Sequence, residues 1–265
     1  MRDSWLMNSP IATGLFAGLA SGALFLSIAT GSPLAVLCYL LAPLPVFIAG
    51  LGWGPASGLV AAVAAAATLL PIGGPSFALA HVAIVGAPVT LMLVVAVSGG
   101  GETTPAAAPS DPPAQGYALP RLLALTIGLA GLFAALNILL LGADIDTYRT
   151  SIKDLFGGLV KEISDKLPGQ IPPEAQLALV RQTETTLPGI AAFSWIILMH
   201  GNLWLAGRVA RTSGRLSRPW PDLARLELPQ PLALTFIASI AASYAGGMPG
   251  LLASGFAAAQ TIVYA

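Results

Sequence analysis

Between Asp3 and Glu102 the chain carries no Asp, Glu, Lys or Arg. A soluble domain covers its surface with polar and charged groups, so an uncharged stretch of this length cannot fold with water around it. Its solvent is hydrocarbon. There every backbone N–H and C=O must be paired internally, which leaves only α-helices and closed β-barrels. A barrel would show segments of roughly ten residues with alternating polarity. The apolar runs here are unbroken and rich in Ala, Leu and Gly, so the expected class is all-α, a polytopic helix bundle. Composition agrees: 55% of residues are hydrophobic and 9% charged, where a soluble domain has roughly a quarter charged. The mean hydropathy is +0.79.

Acidic and basic residues cancel, so there is no electrostatic footprint for a nucleic-acid partner. Cys38 is the sole cysteine and lies in an apolar run, which excludes an internal disulfide and a thiolate metal site. It reads as a small core side chain.

A helix needs about 20 residues, at 1.5 Å rise, to cross a hydrocarbon layer of about 30 Å. On that ruler about eight spans are expected, over residues 10–30, 34–51, 55–71, 76–98, 118–142, 188–208, 231–246 and 249–265. Pro43 and Pro45 should kink the second. The first also has the outline of a cleaved signal peptide, with Arg2 ahead of it and Ser27-Ile28-Ala29 near its end. Its length and the regular spacing of Gly14, Gly18 and Gly22 favour a retained span. The last apolar run reaches Ala265 with no polar tail, which leaves open that the natural chain continues.

Residues 99–117, with Gly99-Gly100-Gly101 and Pro105, Pro109, Pro112 and Pro113, read as a flexible linker between two four-helix halves, 1–98 and 118–265. Within the second half, residues 143–187 are the most polar. Ile145, Tyr148, Ile152, Leu155, Leu159, Ile163 and Leu167 recur there at helical spacing among charges, predicting an amphipathic helix on the membrane surface or capping the bundle. Pro172-Pro173-Glu174 predicts the start of another helix. Glycine and proline turns at 73–75 and 246–249 suit a four-plus-four duplication, or simply the preference of short turns for these residues.

Arginine placement predicts orientation. Arg208, Arg211, Arg215, Arg218 and Arg225 against only Asp222 and Glu227 put that loop in the cytoplasm. Counting spans then puts both termini and the linker inside and the 143–187 insert outside. The first four arginines are expected along one side of a helix that continues the sixth span, meeting lipid phosphates with Trp220 among the headgroups.

Polar side chains within spans are expensive in hydrocarbon and are functional candidates for that reason. His81, Asn137 and Trp195 are expected near the outer face, where they can form a shallow pocket beneath the amphipathic segment or merely an interhelical hydrogen bond. His200 and Asn202 lie deeper, and Gln260 near mid-membrane. Gly14, Gly18 and Gly22, and then Gly50, Gly54 and Gly58, form small-residue ladders suited to packing within the bundle or to a subunit interface. No intramembrane carboxylate offers an ion site of the usual carrier kind. Two histidines and one cysteine cannot build a metal centre of three or four ligands. No nucleophile elbow or phosphate loop is present, so neither an enzyme nor a cofactor is expected.

The runs Ala42-Pro43-Leu44-Pro45-Val46-Phe47-Ile48-Ala49-Gly50-Leu51-Gly52-Trp53-Gly54, Asn202-Leu203-Trp204-Leu205-Ala206-Gly207-Arg208 and Arg218-Pro219-Trp220-Pro221-Asp222-Leu223 resemble the YybS-like bacterial membrane proteins. That family is distantly similar to the substrate-binding S components of energy-coupling-factor transporters and to MreD-type cell-shape proteins. The resemblance implies a bacterial inner-membrane protein. It also implies either a transport-related subunit that captures a small solute and relies on partner subunits for energy, or a scaffold of an envelope assembly. S components usually have six spans, fewer than expected here. Membrane lipids are the expected partners, with other membrane subunits open.

Overall fold

The structure is a computed structural model; it describes residues 9–98, 103–104, 114–115, 118–167, 171–216, 218 and 230–264. Among the described residues the regular structure is helical apart from one antiparallel pairing of Thr103–Thr104 (β1) with Ala114–Gln115 (β2). The helices are α1 (Pro10–Leu26, continued by a 3-10 turn Ser27–Thr30), α2 (Pro33–Leu40), α3 (Pro43–Trp53), α4 (Pro55–His81), α5 (Ala87–Val97), α6 (Leu119–Leu141), α7 (Ile145–Lys166), α8 (Pro173–Thr212), α9 (Gln230–Ser243) and α10 (Gly247–Tyr264). A π-helical turn, Val82–Gly86, joins α4 to α5.

Among the described residues five helical stretches are long and apolar enough to cross a membrane: Pro10–Thr30, Pro33–Trp53, Pro55–Val97, Leu119–Leu141 and Pro173–Thr212. The third is two antiparallel arms. Gly74, at φ 82° and ψ 177°, reverses the chain, and Pro75 has no N–H to continue the first arm. Register supports this: Gly58 faces Leu93 and Ala62 faces Gly86, pairs that fold about one midpoint. Each expected apolar segment is therefore helical, including the shorter α9 and α10. The helices exceed the expected ranges chiefly at α8, whose polar first half runs unbroken through Pro188 into the apolar half.

Contacts divide the chain into two compact units, residues 1–125 with 197–227, and residues 126–196 with 228–265. α6 and α8 supply residues to both. In the first unit the helix ends alternate strictly. The start of α1, the end of α3, the start of α4, the end of α5 and the segment after α8 share one face: Ser57 Oγ donates to Pro10 O, Arg215 stacks on Trp53 and Arg218 donates to Val97 O. The return from the 99–117 segment joins them, Ala118 N–H donating to Ala96 O.

The first glycine ladder is spent inside this unit. A Cβ on Gly14 would sit 2.7 Å from Ser57 O, one on Gly18 would collide with Ala61 O, and one on Gly22 would lie 3.3 Å from Ala65 O. α1 and α4 thus pack almost backbone to backbone, as small-residue faces permit in hydrocarbon. The second ladder is not one helix face. Gly54 has φ 95°, a Cβ there would meet nothing within 4 Å, and it is the turn between α3 and α4. Gly50 and Gly58 sit on different helices, both against Leu93.

In the second unit Ile138, Tyr148, Ile152, Val180 and Leu251 form a core cluster. The apolar pattern of α7 splits in two. Ile145, Tyr148, Ile152, Phe156 and Val160 pack inward, whereas Leu155, Leu159, Ile163 and Leu167 form an adjacent exposed stripe. A helix with one face on protein and the next face bare and apolar is suited to lying in the membrane interface.

Candidate functional site

The polar residues of the first unit gather where α2 and α3 break. Pro43 and Pro45 have no N–H, so the Tyr39 and Leu41 carbonyls lose their helical donors. Ala42 N–H bonds Tyr39 O at 3.1 Å and Leu44 N–H bonds Leu41 O at 3.0 Å instead. Diverting Leu44 strands the carbonyl of Leu40. Asn202 Nδ2 on α8 donates to it at 2.9 Å and also to Leu198 O, one turn back on its own helix. Ser21 Oγ on α1 donates to Ala42 O at 2.8 Å, so its lone pair accepts from His81 Nε2 at 2.9 Å. That geometry assigns the proton of His81 to Nε2. Nδ1 is left a lone pair facing the bare Gly86, where an added Cβ would come within 3.7 Å. Phe25 closes the edge of the ring. His81, Ser21 and Asn202 are all buried. Chemically this is a stitched helix break, of the kind tolerated at membrane depth because neighbouring side chains pair the freed backbone.

The second unit repeats this device and adds a cavity. Pro188 within α8 frees the Glu184 carbonyl, and Tyr148 OH of α7 donates to it at 2.9 Å. Burial, with the Glu184 carboxylate second, pushes the Tyr148 phenol up to about 12. Next to this contact lies a pocket of about 290 Å³ lined by Ile145, Tyr148, Arg149, Glu184, Thr185, Ser243, Gly246, Gly247, Gly250, Leu251 and Ser254. Arg149 Nε and Glu184 Oε2 stand 3.5 Å apart, the Arg side chain 51% exposed and the Glu 13%. Gly246 and Gly247, both at positive φ, turn the chain into α10 so that its amino-terminal end borders the cavity. Oriented N–H groups there favour negative charge. Thr185 and Ser254 also line an apolar trough of about 490 Å³ between α8 and α10, past Gly189, Phe193 and Ala258. The result is a polar mouth, lined by one charge of each sign, that shares Thr185 and Ser254 with an adjacent apolar groove.

The expected pocket residues fall in different places. Asn137 is half-buried and donates to Phe133 O one turn back on its own helix. Trp195 is buried with its ring on Phe133, centroids 6.0 Å apart. Both therefore touch Phe133, in the second unit, whereas His81 and Asn202 serve the break in the first. His200 is half-buried on α8. Gln260 is satisfied within the α9–α10 hairpin, accepting from Thr235 and donating to Ser239. Ser21 was not singled out by the sequence, and Tyr148 only as a member of the apolar series of α7. For Tyr148 the signal was indirect, since it answers the Glu184 carbonyl that Pro188 frees, whereas Ser21 bonds Ala42 O at the break itself.

The arginine row is corrected. α8 ends at Thr212, and Gly214 at φ 66° closes it, with Gly214 N–H on Arg211 O and Arg215 N–H on Ala210 O. This is a helix-terminating glycine motif. Only Arg208, over Trp204 at 5.4 Å, and the exposed Arg211 ride on the helix. Beyond the turn Arg215 lies 4.7 Å from the Trp53 ring, and Arg218 caps the end of α5 through Val97 O at 2.9 Å. Trp220, Arg225 and most of the 99–117 linker lie outside the described residues.

Long apolar helices, proline breaks paired by side chains and small-residue packing define a polytopic α-helical membrane protein. Residues 20–265 match the model of the family described as predicted membrane protein (DUF2232), and the chain belongs to that family. This agrees with the resemblance to YybS-like proteins. Searches of curated proteins and of solved structures find no match to the chain.

Proposed function

We propose that this protein is a non-enzymatic, transport-related membrane subunit of the bacterial cytoplasmic membrane that captures a small solute at the polar mouth beneath α7. The observation that carries the reading is the Arg149–Glu184 pair set into the pocket rim. A partly exposed ion pair contributes only roughly 0–1 kcal/mol to stability. Its value lies in recognition: a guanidinium for an acidic group and a carboxylate for an amine, beside the hydroxyls of Thr185, Ser243 and Ser254. By the arginine bias both termini lie inside and this mouth opens outside, where an incoming solute arrives. Energy would come from separate partner subunits, since the sequence carries no phosphate-binding loop. The scaffold alternative drew its support from exposed glycine ladders, and the Gly14, Gly18, Gly22 face is occupied by α4.

Native mass spectrometry of the protein gently extracted from its own membrane tests this. A retained small molecule is expected in the wild type and should be lost in Arg149→Gln and Glu184→Gln. Partner subunits retained with no small molecule would overturn solute capture in favour of the scaffold.

A further inference from the structure

The chemistry of the polar mouth in the second unit is one-sided, because every hydroxyl that lines it has already spent its hydrogen. Thr185 Oγ1 donates to Gln182 O at 3.0 Å, Ser243 Oγ to Ile240 O at 2.6 Å and Ser254 Oγ to Leu251 O at 2.7 Å, while Tyr148 OH is committed to Glu184 O. Such bonds back to the backbone leave the serine and threonine oxygens with lone pairs and no proton to offer. Together with the Glu184 carboxylate they make an acceptor-rich wall, which suits an ammonium with its three N–H donors. Its counterpart is Arg149, which meets Glu184 Oε2 through Nε at 3.5 Å and so keeps its two Nη groups for an acid. The apolar trough begins at the shared residues Thr185 and Ser254 and follows α8 and α10 past Gly189, Ile190, Phe193 and Ala258. Thr186 and Thr261 also line it, each bonded back to its own helix. From Thr185 to Phe193 α8 rises about 12 Å. That is room for about nine methylenes of an extended chain, at about 1.25 Å each by ordinary bond lengths and angles. Ile190 and Phe193 stay exposed along it, so a chain can enter sideways from the surrounding hydrocarbon.

We propose that the solute captured at the mouth is a zwitterionic amphiphile, with an ammonium on Glu184, an acidic group on Arg149 and one apolar chain in the trough. This deepens the solute-capture reading and rests on it. Charge complementarity selects the head. An amphiphile with an acid and no amine would bring its negative charge beside Glu184, which is only 13% exposed, with no donor to offer the acceptor wall. Continuity with the trough selects the tail. A zwitterion without a chain would fill the mouth and leave the groove beside it unused, whereas a chain seated along α8 and α10 holds the head in place.

Native mass spectrometry of delipidated protein in detergent tests the proposal, with three probes: lysophosphatidylethanolamine, lysophosphatidylglycerol of the same acyl chain, and glycerophosphoethanolamine. The first carries ammonium, phosphate and chain; the second lacks the ammonium and the third the chain. The first adduct should prefer lysophosphatidylethanolamine over lysophosphatidylglycerol by about tenfold, the size expected of one charge-assisted contact. Glycerophosphoethanolamine should bind at least about tenfold more weakly, since a head and chain in one molecule hold each other in place. Glu184→Gln should bring the two lysolipids to within about twofold. Glu162→Gln, in the exposed pair with Lys166 farther along α7, should leave the preference unchanged. Ala258→Phe, which fills the trough one turn past Ser254, should weaken the first adduct of both lysolipids. Equal retention of the two lysolipids by the wild type would overturn the proposal. Glycerophosphoethanolamine binding as tightly as lysophosphatidylethanolamine would overturn it while leaving solute capture standing, because the mouth alone would then suffice. Absence of all three adducts would also overturn it, and a molecule retained from the native membrane would show that capture itself survives. If either variant does not fold, the wild-type comparisons decide the matter.

Discussion

Asn202→Leu removes the side chain that donates to the stranded carbonyl of Leu40, and its cost follows from the geometry. Asn and Leu are close in volume, so the cavity term is small. Of the two Nδ2 hydrogen bonds, the one to Leu198 O is to a carbonyl within its own helix. The one to Leu40 O pairs a group whose helical donor has gone to Leu41. A buried carbonyl left unpaired costs about 1–3 kcal/mol, while interhelical hydrogen bonds in membrane proteins average about 0.6 and reach about 1.7 kcal/mol. The expected loss is about 1–2 kcal/mol. Reversible unfolding in mixed micelles, titrated with a denaturing detergent, measures it. Asn137→Leu is the internal control, because Asn137 donates only to Phe133 O of its own helix and should change stability by less than about 0.5 kcal/mol. If the two substitutions cost the same, or if Asn202→Leu costs nothing, the account of the proline break is wrong.

The α1–α4 contact predicts a graded series. Gly18→Ala and Gly14→Ala, whose methyls would meet backbone oxygens, should destabilise by about 1–3 kcal/mol, and Gly22→Ala, with 3.3 Å to the nearest atom, by clearly less; the same unfolding titration ranks them. Asp144 caps α7 by accepting from the Asp146 and Thr147 N–H groups and the Thr147 hydroxyl, and its pKa is lowered chiefly by the Thr147 hydroxyl. The stability it contributes is present above the ordinary carboxylate pKa and lost as pH falls through the lowered folded value. Protection of the first turn of α7 from hydrogen exchange should therefore fall toward acid, and Asp144→Ala should abolish that pH dependence. Tyr148 should be the tyrosine that ionises near pH 12 in an ultraviolet titration. Because its folded pKa is raised, its contribution is complete below about pH 10 and declines between there and 12, and Tyr148→Phe should remove that step. A phenol titrating at its ordinary value would show that the Tyr148 hydroxyl is not buried against Glu184 as described.

The sequence by itself determined the solvent, and through it the fold class. Nearly a hundred residues without a carboxylate, ammonium or guanidinium cannot be hydrated, and unpaired backbone cannot be dissolved in lipid, so helices were the only economical answer. The helical character of the apolar segments, the turn at Gly74 and the amphipathic character of α7 followed from length, glycine and apolar period, all of them local quantities. Tertiary structure decided which polar groups meet. His81 and Asn202 were legible as costly residues, but their shared task at the Leu40–Pro43 break depends on Ser21 and on hydrogen bonds rerouted around two prolines. The Arg149–Glu184 mouth was invisible for the same reason: its two charges lie on different helices, and an isolated charge in a polar segment carries no sign of its partner. The arginine row was misread because helical periodicity says nothing of where a helix stops. Gly214 ends α8, and only packing shows that the next arginine turns onto Trp53. Local physics sets the elements, and long-range pairing, which has no period in the chain, sets the sites.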